Sequence, residues 1–323
     1  MERKAQRKVA AGQSKIVKRI PAACADERSA VEFVEQLRWN GEPACPRCGD
    51  TDVAQMTDRE GNRNARFLWR CHGCKKQFTV RIGTIFEDSR IPLKVWCHAF
   101  WRACSSKKGV SALQIQRETG LTYKSALFLM HRIRFAMAPD SATPRKLEGA
   151  VEADETYVGG KPRYRTPRVE TEPGWRKPKA AVFAVVERGG EVRAMPIERV
   201  TSATVKQALR EHVAPTAKLY TDEGSHYAWA QKPWPGGHET VTHAAGEYAR
   251  GEATTNAVEG FFSLLKRGIY GTFHSVSKKH LHRYVDEFAF RYNTRTADDG
   301  SRALAAIRAG DGRRLFYRNL VGH

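Results

Sequence analysis

The sequence predicts a multi-domain α/β protein, with a small cysteine-centred β module, a helical segment and a mixed sheet with flanking helices following one another along the chain. Three observations predict it. Two C-x-x-C pairs, Cys45/Cys48 and Cys71/Cys74, punctuate short β-prone runs. Apolar residues between 92 and 138 recur at intervals of three and four, the period of a helix face. From Leu147 onward, the patterning reads strand, strand, strand, helix, strand and then further helices.

The charge narrows the function classes before any motif is read. Lysine and arginine number 55 against 35 acidic residues, a net charge of +20 over 323 residues, which predicts a polyanionic partner. The longest apolar stretch, Ala180 to Val186, falls far short of the roughly 18 residues of a spanning helix. No membrane segment is expected. The N-terminus is basic without the apolar core of a secretory signal, which predicts a cytoplasmic protein. Residues 1–25 read as a basic arm.

Residues 26–85 read as a helix followed by a zinc ribbon. DERSAVEFVEQLRW opens with acidic residues, places Val31, Val34 and Leu37 on one side and stops at Asn40-Gly41. The two cysteine pairs follow, with 22 residues between Cys48 and Cys71, a span a hairpin can fold back. Four thiolates leave no open coordination position, so a Zn²⁺ held by Cys45, Cys48, Cys71 and Cys74 is expected to be structural. The competing reading is a pair of redox dithiols. Cys24, Cys97 and Cys104 lie among apolar residues and read as ordinary buried thiols.

Residues 90–138 read as a helical DNA-binding segment. Leu93, Trp96, Phe100 and Trp101 define one helix. SALQIQRETG ends in Gly120, and LTYKSALFLMHRIRFAM begins another helix after a tight turn. The pair resembles a helix-turn-helix whose second helix, with Lys124, His131, Arg132 and Arg134, is suited to duplex DNA; a plain helical hairpin is the alternative.

PDSATPR is a linker by composition. A sheet-and-helix domain is expected over 145–300, with residues 301–323 left as a C-terminal tail. Between its first two strands lies a Pro-rich basic loop with Tyr164 and Trp175, suited to phosphate and base contacts or equally to a solvated hairpin tip. Three carboxylates fall at corresponding places. Asp154 follows the strand LEGAVEA, Asp222 ends the strand KLYTD, and Glu259 lies near the start of the helix TNAVEGFFSLLKRGIY. Each alone reads as a turn or capping residue; the case rests on all three together. In the last helix, Val258, Phe262, Leu265 and Ile269 form one stripe, while Glu259 and Lys266 are nearly eclipsed beside it because seven residues make about two turns. Asn256 sits one turn before Glu259.

The blocks DETYVGGK (154–161), LYTDEGSHY (219–227), TNAVEGFFSLLKRGIYGTFHSVSKKHL (255–281) and RYVDEFAFRYNTR (283–295) resemble bacterial insertion-sequence transposases of the D-D-E type. The resemblance runs from about Asp26 to Arg295. It implies a zinc ribbon ahead of a ribonuclease-H-like catalytic domain. It further implies that Asp154, Asp222 and Glu259 hold Mg²⁺ or Mn²⁺, that Lys266 is the basic residue following the third carboxylate and that Asn256 contributes to the same site. Where relatives often carry a histidine two residues before that asparagine, this chain has Thr254. The expected function is binding of double-stranded DNA at element ends, cleavage, and strand transfer into target DNA. A homodimer or larger assembly on DNA is expected, associated with the bacterial nucleoid. Alternatives are a DNA-binding regulator that has lost catalysis and a structure-specific nuclease of the same fold.

Overall fold

Asp26 starts the first helix, α1 (Glu27–Trp39), by accepting the backbone N–H of Ser29 at 2.8 Å, and Asn40 ends it in the left-handed conformation. These are the start and stop signals legible in the sequence. The buried face of α1 includes Ala30, Val31, Phe33 and Val34. The structure, a computed structural model, describes residues 20–140, 145–159, 179–231, 234–241 and 254–321. The first nineteen residues of the basic arm and the loop holding Tyr164 and Trp175 lie outside the described residues.

The chain forms two units, residues 1–137 with 296–323, and residues 138–295. In the first, strands β1 (Val53–Gln55), β2 (Trp69–Cys71) and β3 (Gln77–Phe78) make a small antiparallel sheet in the order β1-β2-β3. Trp39 of α1 meets Trp69 and Phe78 edge to face, at 5.6 and 6.0 Å between ring centres. Glu35, almost wholly buried, accepts from Arg63 and from the indole N–H of Trp69 at 2.7 Å. The ribbon is therefore tied to α1 by both an apolar seam and a satisfied buried carboxylate.

Helices α2 (Leu93–Ser105), α3 (Ala112–Thr119) and α4 (Tyr123–Met137) follow the predicted periodicity. Ser111 caps α3, and Gly120 closes it at a φ of 71°, which gives the tight turn into α4. Cys97 and Cys104 are buried, and burial is the main influence that pushes the Cys97 thiol far above its ordinary value. Helix α8 (Asp299–Arg308), also of this unit, packs against α2. The stretch read from sequence as a tail is thus built into the N-terminal unit.

The second unit is a five-stranded mixed sheet with flanking helices, the class expected from the sequence. Its strands are β4 (Ala150–Val158), β5 (Ala180–Glu187), β6 (Val192–Ile197), β7 (Lys218–Asp222) and β8 (His238–Val241). Their order is β6-β5-β4-β7-β8, antiparallel from β6 to β4 and parallel from β4 to β8. The parallel pairing requires a crossover, which α5 (Ser202–His212) supplies. One face of the sheet buries Val151, Ala153, Phe183 and Val185 with Val205 and Leu209 of α5. The opposite face buries Val182, Ala184 and Val186 with α6 (Asn256–Gly268) and α7 (Leu281–Asn293). The stripe Val258, Phe262, Leu265 and Ile269 is buried there, as helical spacing predicts. Asn293 joins α7 to the edge strand, accepting from the Val192 N–H at 2.7 Å and donating to its carbonyl at 3.1 Å. Among the described residues, no helix is long and apolar enough to cross a membrane.

The close approach of α6 and α7 depends on Gly268, where an added Cβ would lie 1.9 Å from the ring of Phe288. Gly260, on the same helix, has nothing within 4 Å of such an atom. Gly260→Ala is therefore expected to stabilise the protein by about 0.5–1 kcal/mol through backbone entropy. Gly268→Ala should destabilise it by about 1–3 kcal/mol through overpacking. Urea unfolding of the two variants checks this; equal shifts of the same sign would contradict the packing described.

Candidate active site

The cysteine knuckles are built by backbone turns. The Gly49 N–H returns to the Cys45 carbonyl at 2.9 Å, and the Cys74 N–H points at the Cys71 sulfur at 3.4 Å. A Cβ at Gly73 would lie 2.1 Å from the Asp50 carboxylate, which would have to shift to admit it. Cys45 and Cys74 bring their sulfurs to 3.7 Å, Cys48 and Cys71 to 3.6 Å. Four Zn–S bonds of about 2.3 Å in a tetrahedron require sulfurs about 3.8 Å apart, so the donors fit zinc. Among the described residues, this is the group of His, Cys, Asp or Glu whose ligand atoms all lie within 4.8 Å of one another.

The carboxylate constellation is assembled by strand pairing. Successive residues of β4 point to opposite faces, so Glu152 and Asp154 share the α6 side while Val151, Ala153 and Glu155 share the α5 side. In the parallel pairing of β4 and β7, Glu152 stands opposite Tyr220. Two residues further along each strand come Asp154 and Asp222, on the same face and near enough for the charge of Asp222 to act on Asp154. Asp222 closes β7, its carboxylate accepting the Gly224 N–H at 3.0 Å. A Cβ at Gly224 would lie 2.5 Å from the His226 ring and 2.9 Å from that same oxygen, so a larger residue there would displace both side chains.

Glu259 arrives from α6, and the start of that helix is held by a residue the sequence reading did not single out. Thr255, at the N-cap, supplies no side-chain cap to the helix; its hydroxyl donates to the Glu259 carboxylate at 2.8 Å. The cap comes instead from Glu152, only 1% exposed, whose Oε2 accepts the N–H groups of Ala257 at 2.7 Å and Val258 at 3.1 Å. Its other oxygen, Oε1, accepts from Arg188 Nε at 2.7 Å. Arg188 also donates to the Thr254 carbonyl at 3.0 Å and lies over the Tyr220 ring, 4.2 Å from its centre. Glu152 and Arg188 thus join the three elements that carry Asp154, Asp222 and Glu259. The one sequence signal for this was the two-residue spacing of Glu152 from Asp154, which puts both on one face.

Burial, with the negative charges of Glu155, Asp222 and Glu259 adding to it, pushes the Asp154 carboxyl up to about 7. A chain of net charge +20 has gathered acids at one end of its sheet, and their mutual repulsion makes it a place that favours a cation. Glu155 is compensated separately on the other face, accepting from His226 Nε2 at 3.0 Å and the Tyr227 hydroxyl at 3.1 Å. Lys266 is half-buried in the last turn of α6, and Asn256 is exposed at its first residue. Oxygen donors of this kind suit Mg²⁺ or Mn²⁺ and not a thiophilic metal.

The helix-turn-helix segment divides its basic residues between two roles. Tyr123 and Lys124 at the start of α4 are exposed, whereas His131, Arg132 and Arg134 are buried. Arg132 donates to the Glu87 carbonyl and lies against Trp96 and Phe128. These three belong to the interior, so the exposed part of α4 is its N-terminal end.

With this geometry in place, the comparisons with known proteins are direct. Residues 146–293 match the model of the ISXO2-like transposase domain, and residues 25–77 match the transposase zinc-ribbon domain. The chain is similar to an uncharacterized protein in transposable element ISH50 of Halobacterium salinarum, at 28% identity over 275 residues. That alignment covers 82% of this chain and 90% of the relative.

Two outcomes follow from the site as built. Cys71→Ser should release zinc and unfold the ribbon, because metal binding supplies much of the folding energy of such modules; retention of more than about half an equivalent of zinc by elemental analysis would contradict the site. Glu152→Ala removes the acceptor for two helix N–H groups and leaves Arg188 unpaired. It should cost about 3–5 kcal/mol in urea unfolding and speed amide exchange at Ala257 and Val258. Unchanged protection there would show that α6 is held by something else.

Proposed function

We propose that this chain, a transposase with an N-terminal zinc ribbon, cuts double-stranded DNA at the ends of its element and joins those ends to target DNA. The observation that carries the reading is the delivery of Glu259 to the Asp154 and Asp222 face by a helix whose start is anchored two residues from Asp154. Asp154, Asp222 and Glu259 would hold divalent cations, Mg²⁺ or Mn²⁺. When bound, such ions supply activation of an attacking oxygen and neutralisation of charge on the scissile phosphate.

The chain's own residues then do the rest. Three carboxylates from three elements would set where a phosphate sits, and the Glu152 and Arg188 clamp holds those elements together. Lys266, about two turns from Glu259 along the same helix, reaches the same side and holds a phosphate oxygen by charge. Asn256, exposed one turn before Glu259, offers an amide to the same DNA strand. Water attacking phosphorus at the element end displaces a 3′-oxygen and leaves a 3′-hydroxyl; that hydroxyl attacks a target phosphate in a second displacement of the same kind. Neither step requires a covalent bond to the protein. The enzyme works on DNA in the bacterial cytoplasm, associated with the nucleoid, as a homodimer or larger assembly that brings two ends together.

Asp154→Asn keeps the size of the side chain and removes one negative charge, so duplex binding should survive while joining of a labelled element end into plasmid falls by roughly a hundredfold or more in Mg²⁺. The triple amide variant should be little worse than any single one, as ligands of one site act together. Lys266→Ala should be milder. Near wild-type joining by Asp154→Asn would place the chemistry elsewhere, and duplex binding by the unaltered protein without any metal-dependent cleavage would point to a regulator.

A further inference from the structure

The C-terminal segment after α8 runs back along α4. Arg313 donates to the carbonyls of Phe135 at 2.9 Å and Ala136 at 3.3 Å, near the end of that helix. Leu315 is buried. Tyr317 then reaches the opposite end, edge to face with Phe128 at 5.6 Å and under the Lys124 ammonium at 5.0 Å. The segment therefore lies antiparallel to α4, and its last residues surround the one part of that helix that is exposed.

What it presents there is basic and aromatic. Phe316 and Tyr317 are 37% and 44% exposed, and Tyr123 beside Lys124 is 47% exposed. Arg318 sits over the Phe316 ring at 5.1 Å. Arg117, exposed near the end of α3, lies across the Gly120 turn from Tyr123. Among the described residues, Arg117, Lys124 and Arg318 have no carboxylate partner. Arg314 is different, since Asp88 and Glu87 pair with it. Exposed aromatic rings interleaved with cations that no carboxylate neutralises match the combination of positive charge and stacking surface that nucleic-acid sites use.

We propose that Arg318 and Tyr317 of the C-terminal segment form one duplex-DNA contact surface with Arg117, Tyr123 and Lys124 of the α3–α4 pair. The inference rests on the reading of the chain as a DNA-joining enzyme and extends it to a segment that has no place in a helix-turn-helix. The start of α4 faces the groove, and Arg117 and Arg318 hold phosphates on either side of it. The segment has a second effect, because Arg313 holds the end of α4 while Tyr317 packs on Phe128 and restrains the Lys124 side chain.

The test uses the full-length, zinc-loaded protein and a fluorescent duplex of mixed sequence about three helical turns long. Arg117→Glu and Arg318→Glu should each weaken binding roughly tenfold or more and reduce the slope of log affinity against log salt by about 0.9. Arg199→Glu, an equal charge change at an exposed position of the other unit, should leave both within about twofold of wild type. Arg318→Gln removes the charge without reversing it, and should reproduce the slope change if the reversal proves to lower the melting temperature. Wild-type binding with Arg117→Glu and Arg318→Glu indistinguishable from Arg199→Glu would overturn this surface and leave the proposed activity standing. Failure of the wild-type protein to bind any duplex would overturn both.

Discussion

The carboxylate of Glu152 is the constraint on which the second unit depends. It is buried on the face of β4, where an unpaired charge would be expensive, and it is satisfied from three directions at once: two helix N–H groups and one guanidinium. The partial positive charge at the start of α6 and the full charge of Arg188 both attract the carboxylate. Arg188 is itself anchored on the Thr254 carbonyl and the Tyr220 ring. The sheet, the helix and the neighbouring strand are therefore locked together next to Asp154. Precision at the proposed metal site comes from this clamp, since the three carboxylates repel one another and would otherwise spread apart.

Arginine has two distinct uses in this protein. Many of the 55 basic residues are structural ties: Arg38 donates to the Val80 and Ile82 carbonyls, Arg81 to those of Ser89 and Ile91, and Arg302 to that of Cys104. A guanidinium suits this work because its planar fork satisfies several carbonyls while its stem packs against apolar surface. Burial lowers the Arg132 guanidinium to about 10, the consequence of placing a cation in the interior. The net charge of +20 therefore overstates the charge open to phosphates, which is concentrated on fewer, exposed side chains.

Local patterning was sufficient for most elements. The cap at Asp26, the αL stop at Gly120 and the apolar stripe of α6 are legible because each depends on residues within a few positions of one another. The short strand β8 was missed: His238–Val241 has four residues and no clean alternation. The basic residues of α4 were misleading, since a helical sequence shows which residues share a face but not whether that face is covered. His131, Arg132 and Arg134 are buried, and the Glu87 carbonyl and the Trp96 and Phe128 rings receive Arg132.

The sequence by itself determined the order of the modules, the zinc donors and the residue types of the carboxylate set, because metal chemistry demands particular side chains wherever the chain delivers them. Only the tertiary structure decided that Glu152, and not Thr255, caps α6 across 105 residues, that residues 296–321 complete the N-terminal unit, and that the C-terminal aromatics lie beside Lys124. The physical reason is the range of the interactions. Periodicity and capping act over one or two turns, whereas a buried charge takes its partner from whatever the fold brings near, and no spacing along the chain records that choice.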